Sequence, residues 1–365
     1  MTHSGPSAKR HIGRWGHGPR SSSVEVQAVL CSVPLGIWER GKMKRRELLA
    51  GFGVLVFSRV AYGQQSMAVI GLLGSSALDD YQPMIAAFSK GLNEAGYVEG
   101  KNVRFDDAWA NDEYDRLPAL ASGLVARRIS VILAASTPSA LAAKSATTTI
   151  PIVFAIGGDP VRTGLVGSLN RPGGNLTGAA HINVDTAAKR LELLHELVPS
   201  KKSFGLLLNP NNPLAASIEA EVRPAAETLG VQLSVLRAST DEGIEAAFKA
   251  ATGGALGGIV VGTDPLFTSR IKVLGAKSLQ YRIPAIYQYR DFVAAGGAMS
   301  YGGDIKDSYY HAGIYAGRIL NGERPSELPV QLSTKVELFI NLKTAKVLGV
   351  EPSVALVARA DEVIE

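Results

Sequence analysis

Short polar loops containing Ser, Thr, Asn and Asp occur at six places in the chain, each directly after a run of apolar residues. The loops span residues 74–81, 135–139, 157–160, 209–213, 262–265 and 288–291. Each precedes a helical pattern, where such side chains commonly cap the helix and stabilise it by about 1 kcal/mol. Capping accounts for any single loop. Six loops at corresponding positions favour a further role, in which hydroxyls, amides and helix N–H groups converge on a small polar ligand.

Residues with catalytic or metal-binding chemistry are scarce after residue 63. The histidines in this part are His181, His195 and His311, and none has another His or Cys at zinc-site spacing. Asp159, Asp264 and Asp304 could take part in acid–base chemistry, although Asp-Pro at a strand end is more typical of a turn. No nucleophile elbow, Walker-A loop or Gly-x-Gly-x-x-Gly loop follows an apolar run. We therefore expect no enzyme, no metal site and no cofactor.

The elements that must position these loops are short β-branched runs alternating with longer amphipathic stretches. The runs are residues 67–73, 103–106, 131–134, 152–155, 203–208, 231–236, 258–261 and 285–287. Near-continuous apolar strands are typical of a parallel sheet covered on both faces. Between them, stretches such as 81–95, 114–127 and 214–229 have apolar residues at three- and four-residue spacing. The alternation predicts a doubly wound α/β fold.

The strand–helix pattern occurs in two blocks, separated by residues 157–184, which have no regular period. A strand at 298–302 and a helix at 307–320 suggest that the chain then returns to the first block. The strand 336–341 suggests that it goes back to the second block after Pro329. About 300 residues exceed what one core usually supports. We expect two lobes, an N-terminal lobe of residues 66–178 plus 296–324 and a C-terminal lobe of residues 179–295 plus 325–365.

Residues 43–63 have the three parts of a bacterial export signal. The pair Arg45-Arg46 is followed by an apolar run at 48–57 and by the small residues Ala61 and Gly63. The run is shorter than the ~20 apolar residues of a membrane span. The alternative is a buried core helix with a basic flank. We expect a periplasmic protein, exported by the general secretory or the twin-arginine route.

Residues 1–42 carry scattered Arg and His residues and no sustained helical or strand period. A signal normally begins at its own Met, so we interpret Met43 as the true start and residues 1–42 as an upstream extension. The alternative is a disordered basic tail that binds nucleic acid. That interpretation leaves an export signal inside the chain and is less favoured.

Net charge argues against a nucleic-acid partner. Ten of the 38 basic and three of the 33 acidic residues precede Gln64, which leaves 28 basic and 30 acidic residues, a net charge of −2. Such a surface does not suit a phosphate backbone. The single cysteine, Cys31, also lies before Gln64, so the remaining chain has neither a disulfide nor a thiol nucleophile.

Several segments resemble a family of ABC-transporter substrate-binding proteins. The most specific is Arg171-Pro172-Gly173-Gly174-Asn175-Leu176-Thr177-Gly178, and others span residues 150–161, 295–302, 319–325, 339–349 and 359–364. The resemblance covers nearly all of residues 64–365. The group's better-known members bind tryptophan or tyrosine. It implies the type I periplasmic-binding-protein fold, with two Rossmann-like lobes joined by three crossovers, and a function in import rather than catalysis.

The resemblance also implies ligand contacts, carried over by loop equivalence. They are Ser75, Ser76, Ser136, Thr137 and Asp159 in the first lobe, Asn209, Asn211, Asp264 and Tyr287 in the second, and Asp304 after the returning strand. The expected partners are a small ligand and a membrane permease, and the expected state is a monomer. Two alternatives stay open: a small-molecule enzyme on the same scaffold, and a ligand-sensor protein, although no helix-turn-helix precedes the α/β part.

The ligand expected from these residues is a zwitterion, most simply an amino acid. Asp159, Asp264 and Asp304 suit an ammonium group, since a buried carboxylate without a partner is costly. The serines, Thr137 and helix N-termini supply donors for a carboxylate. The aromatic residues Tyr81, Phe267 and Tyr287 are available to pack on an apolar or aromatic side chain, or are ordinary half-buried tyrosines and phenylalanine of the sheet edge.

The first testable prediction concerns processing. We expect the protein recovered from its native periplasm to begin at or within a few residues of Gln64, because residues 43–63 have the form of a cleaved signal. N-terminal sequencing by mass spectrometry measures this directly. A mature protein that retains Arg10 and Arg14 would contradict the export interpretation.

Overall fold

The structure is a computed structural model that describes residues 67–181, 183–253 and 256–365. The predicted export signal and the 1–42 extension lie outside these residues. The described chain forms two mainly parallel sheets with helices on both faces. This confirms the doubly wound, two-lobed α/β fold. None of the described helices combines the length and hydrophobicity that crossing a bilayer requires.

The first lobe contains a six-stranded sheet. Its strands are β1 (Ala68–Gly74), β2 (Val103–Trp109), β3 (Val131–Ala134), β4 (Ile152–Ile156), β5 (Leu176–His181) and β11 (Gln331–Ser333), in the order β11-β5-β4-β3-β1-β2. Its helices are α1 (Leu78–Glu94), α2 (Leu117–Ala126), α3 (Thr137–Ala146) and α10 (Ile305–Leu320). All strand pairs are parallel. The carboxyl ends of the strands therefore meet at one edge.

The second lobe contains a seven-stranded sheet. Its strands are β6 (Ser203–Leu208), β7 (Gln232–Arg237), β8 (Ile259–Val261), β9 (Ala285–Tyr287), β10 (Met299–Gly302), β12 (Glu337–Asn341) and β13 (Glu362–Ile364), in the order β13-β12-β10-β9-β8-β6-β7. Its helices are α4 (Ala187–Leu197), α5 (Ala215–Leu229), α6 (Asp241–Ala250), α7 (Pro265–Ser269), α8 (Ile271–Tyr281), α9 (Arg290–Ala294), α11 (Leu342–Leu348) and α12 (Val354–Val357). The pair β10–β12 is antiparallel.

Helices α1 and α10 cover one face of the first sheet and touch each other through backbone. A Cβ added to Gly91 would lie 2.0 Å from the carbonyl oxygen of Tyr310, and one added to Gly313 would lie 2.0 Å from that of Phe88. Glycine is required at both positions because the two helices approach too closely for side chains. The contact fixes α10 against α1, so its N-terminus lies beside the polar strand ends.

The chain crosses between the lobes three times, between β5 and α4, between β10 and α10, and between β11 and β12. Two expected assignments were wrong. The strand at 299–302 belongs to the second sheet, where the apolar Met299 pairs with β9 and β12. Residues 331–333, expected in the second lobe, pair with β5 in the first sheet. The segment 157–184 also contains a buried strand, β5.

Arg190, on α4, is buried where two of these crossovers meet. Its guanidinium donates to the carbonyl oxygen of Asn183 at 2.8 Å, to that of Tyr301 at 3.2 Å and to Thr186 Oγ1 at 3.0 Å. Asn183 Oδ1 in turn accepts the Gly303 N–H at 2.9 Å. Burial lowers the pKa of Arg190 to about 10, which leaves the side chain charged near neutral pH. One buried cation thus ties the first crossover to the second.

The second prediction follows from this arrangement. Replacing Arg190 by Met leaves the carbonyl oxygens of Asn183 and Tyr301 without these donors, so we expect the free energy of unfolding to fall by about 3 kcal/mol. Urea denaturation followed by circular dichroism measures it. Lys189→Met, one residue away on α4 with a half-exposed side chain, is the matched control and should change stability far less. Equal effects of the two substitutions would contradict this role.

Candidate functional site

A small cavity lies between the carboxyl ends of the two sheets and has a volume of about 40 Å³. We call it the cleft cavity. First-lobe residues along it include Tyr81, Ser136, Thr137, Pro138, Gly157, His181 and Ile305. Second-lobe residues along it include Asn212, Leu214, Thr263, Asp264, Thr268, Gln288 and Tyr289. Both lobes contribute polar groups, as the positions of the polar loops predict.

The first-lobe wall is built on the N-termini of α1 and α3. Leu73 of β1 and Ala134 of β3 are neighbours in register, so the loops after them start side by side. Ser75 Oγ lies 2.6 Å from Ser136 Oγ, and Ser136 caps α3 by accepting the Ser139 N–H at 3.2 Å. Ser75 and Ser136 thus hold the two loops together.

Two hydroxyls of this wall remain available to a ligand. Ser76 Oγ and Thr137 Oγ1 are buried, and neither has a hydrogen-bond partner among the described residues. Buried hydroxyls are normally paired, and leaving one unpaired costs about 1–3 kcal/mol. Both residues stand just before or at the start of a helix, where N–H groups and the helix dipole favour negative charge. The wall can therefore bind an anionic oxygen.

The second-lobe wall is organised around the buried carboxylate of Asp264. It caps α7 by accepting the Leu266 N–H at 2.9 Å, and it accepts side-chain N–H groups from Asn212 at 2.7 Å and Asn209 at 3.2 Å. Burial is the largest influence on its ionisation and raises the pKa to about 7, while the surrounding donors act in the opposite direction. Asp264 therefore changes ionisation near neutral pH.

Tyr114, at the start of the short turn before α2, contacts Asp264 across the cleft. Its hydroxyl lies 3.2 Å from each carboxylate oxygen and also accepts the Leu266 N–H at 3.2 Å. Arg270 of the second lobe forms a further ion pair with Asp112 of the first, at 3.2 Å. These contacts join the rims of the two lobes on one side of the cleft.

His181, at the end of β5, forms the floor of the cleft near the crossovers. Its Nε2 lies 3.0 Å from Tyr289 Oη and its Nδ1 lies 3.2 Å from Ser308 Oγ. Burial lowers its pKa to about 4, so the ring is neutral near neutral pH. On the opposite side, Tyr81 packs on Trp109 with ring centroids 5.4 Å apart. These rings give the cavity an aromatic lining.

The predicted contact residues fall into three groups. Tyr81, Ser136, Thr137 and Asp264 line the cleft cavity. Ser75, Ser76 and Asn209 are buried and do not line it, and Ser75 and Asn209 position its walls by hydrogen bonds to Ser136 and Asp264. The remaining four, Asp159, Asn211, Tyr287 and Asp304, are not brought to it.

Each residue of the last group has a local structural role. Asp159 accepts the N–H groups of Val161 and Arg162 in a turn. Asn211 is exposed and offers its backbone N–H to Asn209 Oδ1. Tyr287 lies in the second-lobe core, as Phe267 does, with its hydroxyl 2.9 Å from Thr268 Oγ1. Asp304 caps α10 beside a neighbouring cavity of about 230 Å³.

Sequence reasoning missed Tyr114, His181, Asn212, Gln288 and Tyr289. Asn212, Gln288 and Tyr289 belong to loops that were predicted to reach the ligand, but these three residues were not selected as contacts within those loops. Tyr114 starts a helical pattern and His181 ends a strand that was not predicted, so neither had a signal of its own. In the part of the chain that the structure describes, no group of three His, Cys, Asp or Glu residues could hold a metal ion.

Comparison with known proteins agrees with this fold. A tyrosine-binding protein of Clostridioides difficile (strain R20291) is 29% identical over 289 residues, which are 79% of this chain and 82% of that protein. The structure of an ABC domain from Streptococcus pneumoniae in complex with L-Trp has a TM-score of 0.74 at 25% identity, covering 82% of this chain and 100% of that one.

A third similar protein was solved in a ligand-free, open form. It is a substrate-binding protein with adhesive properties from Clostridium difficile, with a TM-score of 0.56 at 27% identity, covering 81% of this chain and 99% of that one. A family model described as ABC transporter substrate binding protein matches residues 66–364. The match spans both lobes and the cleft between them, and the chain therefore belongs to the family of ABC transporter substrate-binding proteins.

Proposed function

We propose that this substrate-binding protein captures an amino acid with an aromatic or large apolar side chain in the cleft cavity. The observation that carries the proposal is the pair of buried hydroxyls, Ser76 Oγ and Thr137 Oγ1, that have no partner in the described residues. Thr137 and Asp264 line the cleft cavity from opposite lobes, and Ser76 is buried in the loop before α1. A donor wall opposite an acceptor wall suits a ligand with one anionic and one cationic end.

The α-carboxylate would lie at the first-lobe wall. Ser76 and Thr137 offer hydroxyl hydrogens, and the N-termini of α1 and α3 offer backbone N–H groups and the positive ends of their dipoles. Because these groups are already buried, a carboxylate that binds them gains hydrogen bonds without a further cost of ordering the site. This preorganisation favours an anionic oxygen over a neutral hydroxyl.

The ammonium group would lie at Asp264. Burial of this carboxylate disfavours its charged form, and a cation beside it would offset that cost. The asparagines Asn209 and Asn212 hold the carboxylate in place from the second lobe. Tyr114 reaches it from the first lobe, where it can give way to the ligand or close over it.

The side chain of the ligand would pack on the aromatic lining. Tyr81, Tyr289 and Leu214 supply rings and methyl groups within the cleft. Two similar proteins agree with this choice, one named as a tyrosine-binding protein and one solved with L-Trp. A neutral sugar would leave the donor wall without an anion and Asp264 without a cation.

Binding requires the lobes to separate and close again. The cleft cavity, at about 40 Å³, is far smaller than the roughly 300–1,000 Å³ of typical small-molecule sites. The higher TM-score with the L-Trp complex than with the open, ligand-free protein supports a closed arrangement of the lobes here. We infer a hinge motion about the three crossovers.

The wider role follows from the family. We propose that the protein is exported through the signal at residues 43–63, works as a monomer outside the cytoplasm and delivers its ligand unchanged to the permease of an ABC importer. The net charge of −2 after residue 63 and the aromatic and apolar residues along the cleft cavity support a small-molecule partner rather than nucleic acid. Recovery of the bound compound without turnover would separate this role from that of an enzyme.

The third prediction concerns the ligand class. We expect L-tyrosine, L-tryptophan or L-phenylalanine to raise the melting temperature in a thermal-shift screen, while glucose and inositol do not. Ser76→Ala and Thr137→Val should each raise the Kd of the bound amino acid about tenfold to a hundredfold, because each removes a hydrogen bond to a charged group. Calorimetric titration gives the Kd.

Ser145→Ala, at the exposed end of α3, is the control and should bind as the wild type does. Stabilisation by sugars alone would show that the ligand class is wrong. Unchanged affinity in both Ser76→Ala and Thr137→Val would show that the carboxylate lies elsewhere.

The fourth prediction concerns the ionisation of Asp264. Its pKa of about 7 in the folded protein exceeds the ordinary value of 3.8, so proton binding stabilises the fold. This contribution is fully present below about pH 4 and is lost as the pH rises through about 7. We therefore expect the unfolding free energy of the wild type, relative to that of Asp264→Asn, to fall between these pH values and to level off above them.

Chemical denaturation at a series of pH values measures this difference. Tyr114→Phe removes a donor that lowers the pKa of Asp264, so the fall should move to higher pH in that variant. A difference between wild type and Asp264→Asn that does not depend on pH would show that Asp264 is not buried in solution.

A further inference from the structure

Gly158, in the loop after β4 of the first lobe, lies beside Leu214 of the second lobe. A Cβ added to Gly158 would lie 2.7 Å from Leu214 Cδ2 and 3.2 Å from Leu214 Cδ1. Real Cβ atoms essentially never come within 3.0 Å of another heavy atom. The neighbouring Gly157 has a similar contact, with its added Cβ 2.9 Å from Thr263 Cγ2. Leu214 and Thr263 both belong to the second lobe.

The backbone does not account for glycine at these positions. Neither Gly157 nor Gly158 has a positive φ, so an alanine could adopt either conformation. The three heavy atoms nearest to the added Cβ at Gly158 all belong to Leu214. The conflict at Gly158 therefore exists only while the lobes are in contact, and a separated first lobe would accept a side chain there.

The second lobe restricts the movement that would relieve this conflict. Leu214 is 4% exposed and packs in the core under α4 and α5. Its N–H donates to Asn212 Oδ1 at 2.9 Å, which fixes the backbone beside Asp264. Thr263 is held by a hydrogen bond of 2.6 Å to Gln288 Oε1. A side chain at position 158 would have to displace a packed wall of the cleft cavity.

We propose that Gly158 is a positioning residue whose missing side chain allows the lobes to close over the ligand. Gly158 lies against Leu214 and not against the hydroxyls or the carboxylate proposed to bind the ligand. It therefore affects how completely the cleft closes and not the polar contacts to the ligand. The proposal rests on the proposed function for its ligand, an aromatic amino acid. It adds that closure, and with it retention of the ligand, depends on the space at this one residue.

The fifth prediction is a kinetic one. Gly158→Ala should raise the Kd for the amino acid about tenfold and Gly158→Val by on the order of a hundredfold, because overpacking of a closed contact opposes closure. The rise should come from a faster dissociation rate, with the association rate nearly unchanged, since the open cleft still admits the ligand. Stopped-flow fluorescence with L-tyrosine and L-tryptophan separates the two rates.

Two further variants distinguish closure from folding. Gly167→Ala is the matched control, because the nearest atom to its added Cβ is 3.9 Å away and its φ is ordinary; it should bind as the wild type does. Leu214→Val removes the methyl group that Gly158→Ala would strike, so Gly158→Ala should cost far less affinity in the Leu214→Val background than in the wild type. A melting temperature near that of the wild type shows that each single variant is folded.

Closure itself is measured without reference to affinity. Spin labels are attached to cysteines at the exposed residues Lys90 of α1 and Lys249 of α6, one on each lobe, with Cys31 replaced by Ser. The distance between the labels is measured with and without L-tyrosine and L-tryptophan. The wild type should populate a shorter distance, and Gly158→Val should populate it less.

These measurements distinguish a wrong ligand from a wrong role for Gly158. If the wild type populates the short distance but binds neither amino acid, the proposed ligand is wrong and the role of Gly158 is still decided by the label distances. If Gly158→Val closes as fully as the wild type, or if the wild type never populates the short distance, the role of Gly158 is overturned. Equal losses of affinity caused by Gly158→Ala in the wild type and in the Leu214→Val background would also overturn it.

Discussion

The buried guanidinium of Arg190 sets the constraint on which the arrangement of the two lobes depends. A charge without solvent must be met by acceptors, and here they include the carbonyl oxygen of Asn183 in the first crossover and that of Tyr301 in β10, just before the second crossover. Because Asn183 follows a strand of the first sheet and Tyr301 belongs to a strand of the second, the same interaction fixes where each sheet stands at the hinge. The fold would otherwise consist of two stable lobes with loosely defined connections.

From this hinge the two sheets present their carboxyl ends to each other, and each lobe contributes a different chemistry. The first lobe offers hydrogen-bond donors at helix N-termini, and the second offers a carboxylate supported by asparagines. Neither wall can bind both ends of a zwitterion. Under the proposed function, the ligand would bridge the two walls and make contact between the lobes favourable, which would couple capture to motion.

The sequence was sufficient for the fold class and for the loops, because strand ends in a parallel sheet share one edge whatever their neighbours. It was not sufficient for β5, whose residues Gly178, Ala179, Ala180 and His181 have little β-propensity. Gly178 is required there by close backbone contact with Phe154, which only the assembled sheet shows. The sequence also did not predict that β10 pairs with β9, because the residues of a strand do not indicate which of two parallel sheets it joins.

Individual contact residues were the least predictable. Within one loop, Asn212 points to Asp264 while Asn211 faces solvent, and the two are chemically identical. The choice depends on the turn geometry that Asn209 imposes by accepting the Asn211 N–H. Tyr114 contacts Asp264 although the two residues are 150 positions apart in the chain, so no local sequence pattern could have linked them.

The packing of Trp109 on Tyr81 has a practical consequence. The chain has three tryptophans, Trp15, Trp38 and Trp109, and the first two precede residue 63. Cleavage at the predicted export signal would leave a single indole, that of Trp109, which lies beside a wall of the cleft cavity and donates its Nε1–H to Asp107. Its emission would then come from one site, which makes the processed protein an intrinsic optical sensor of events in its own cleft.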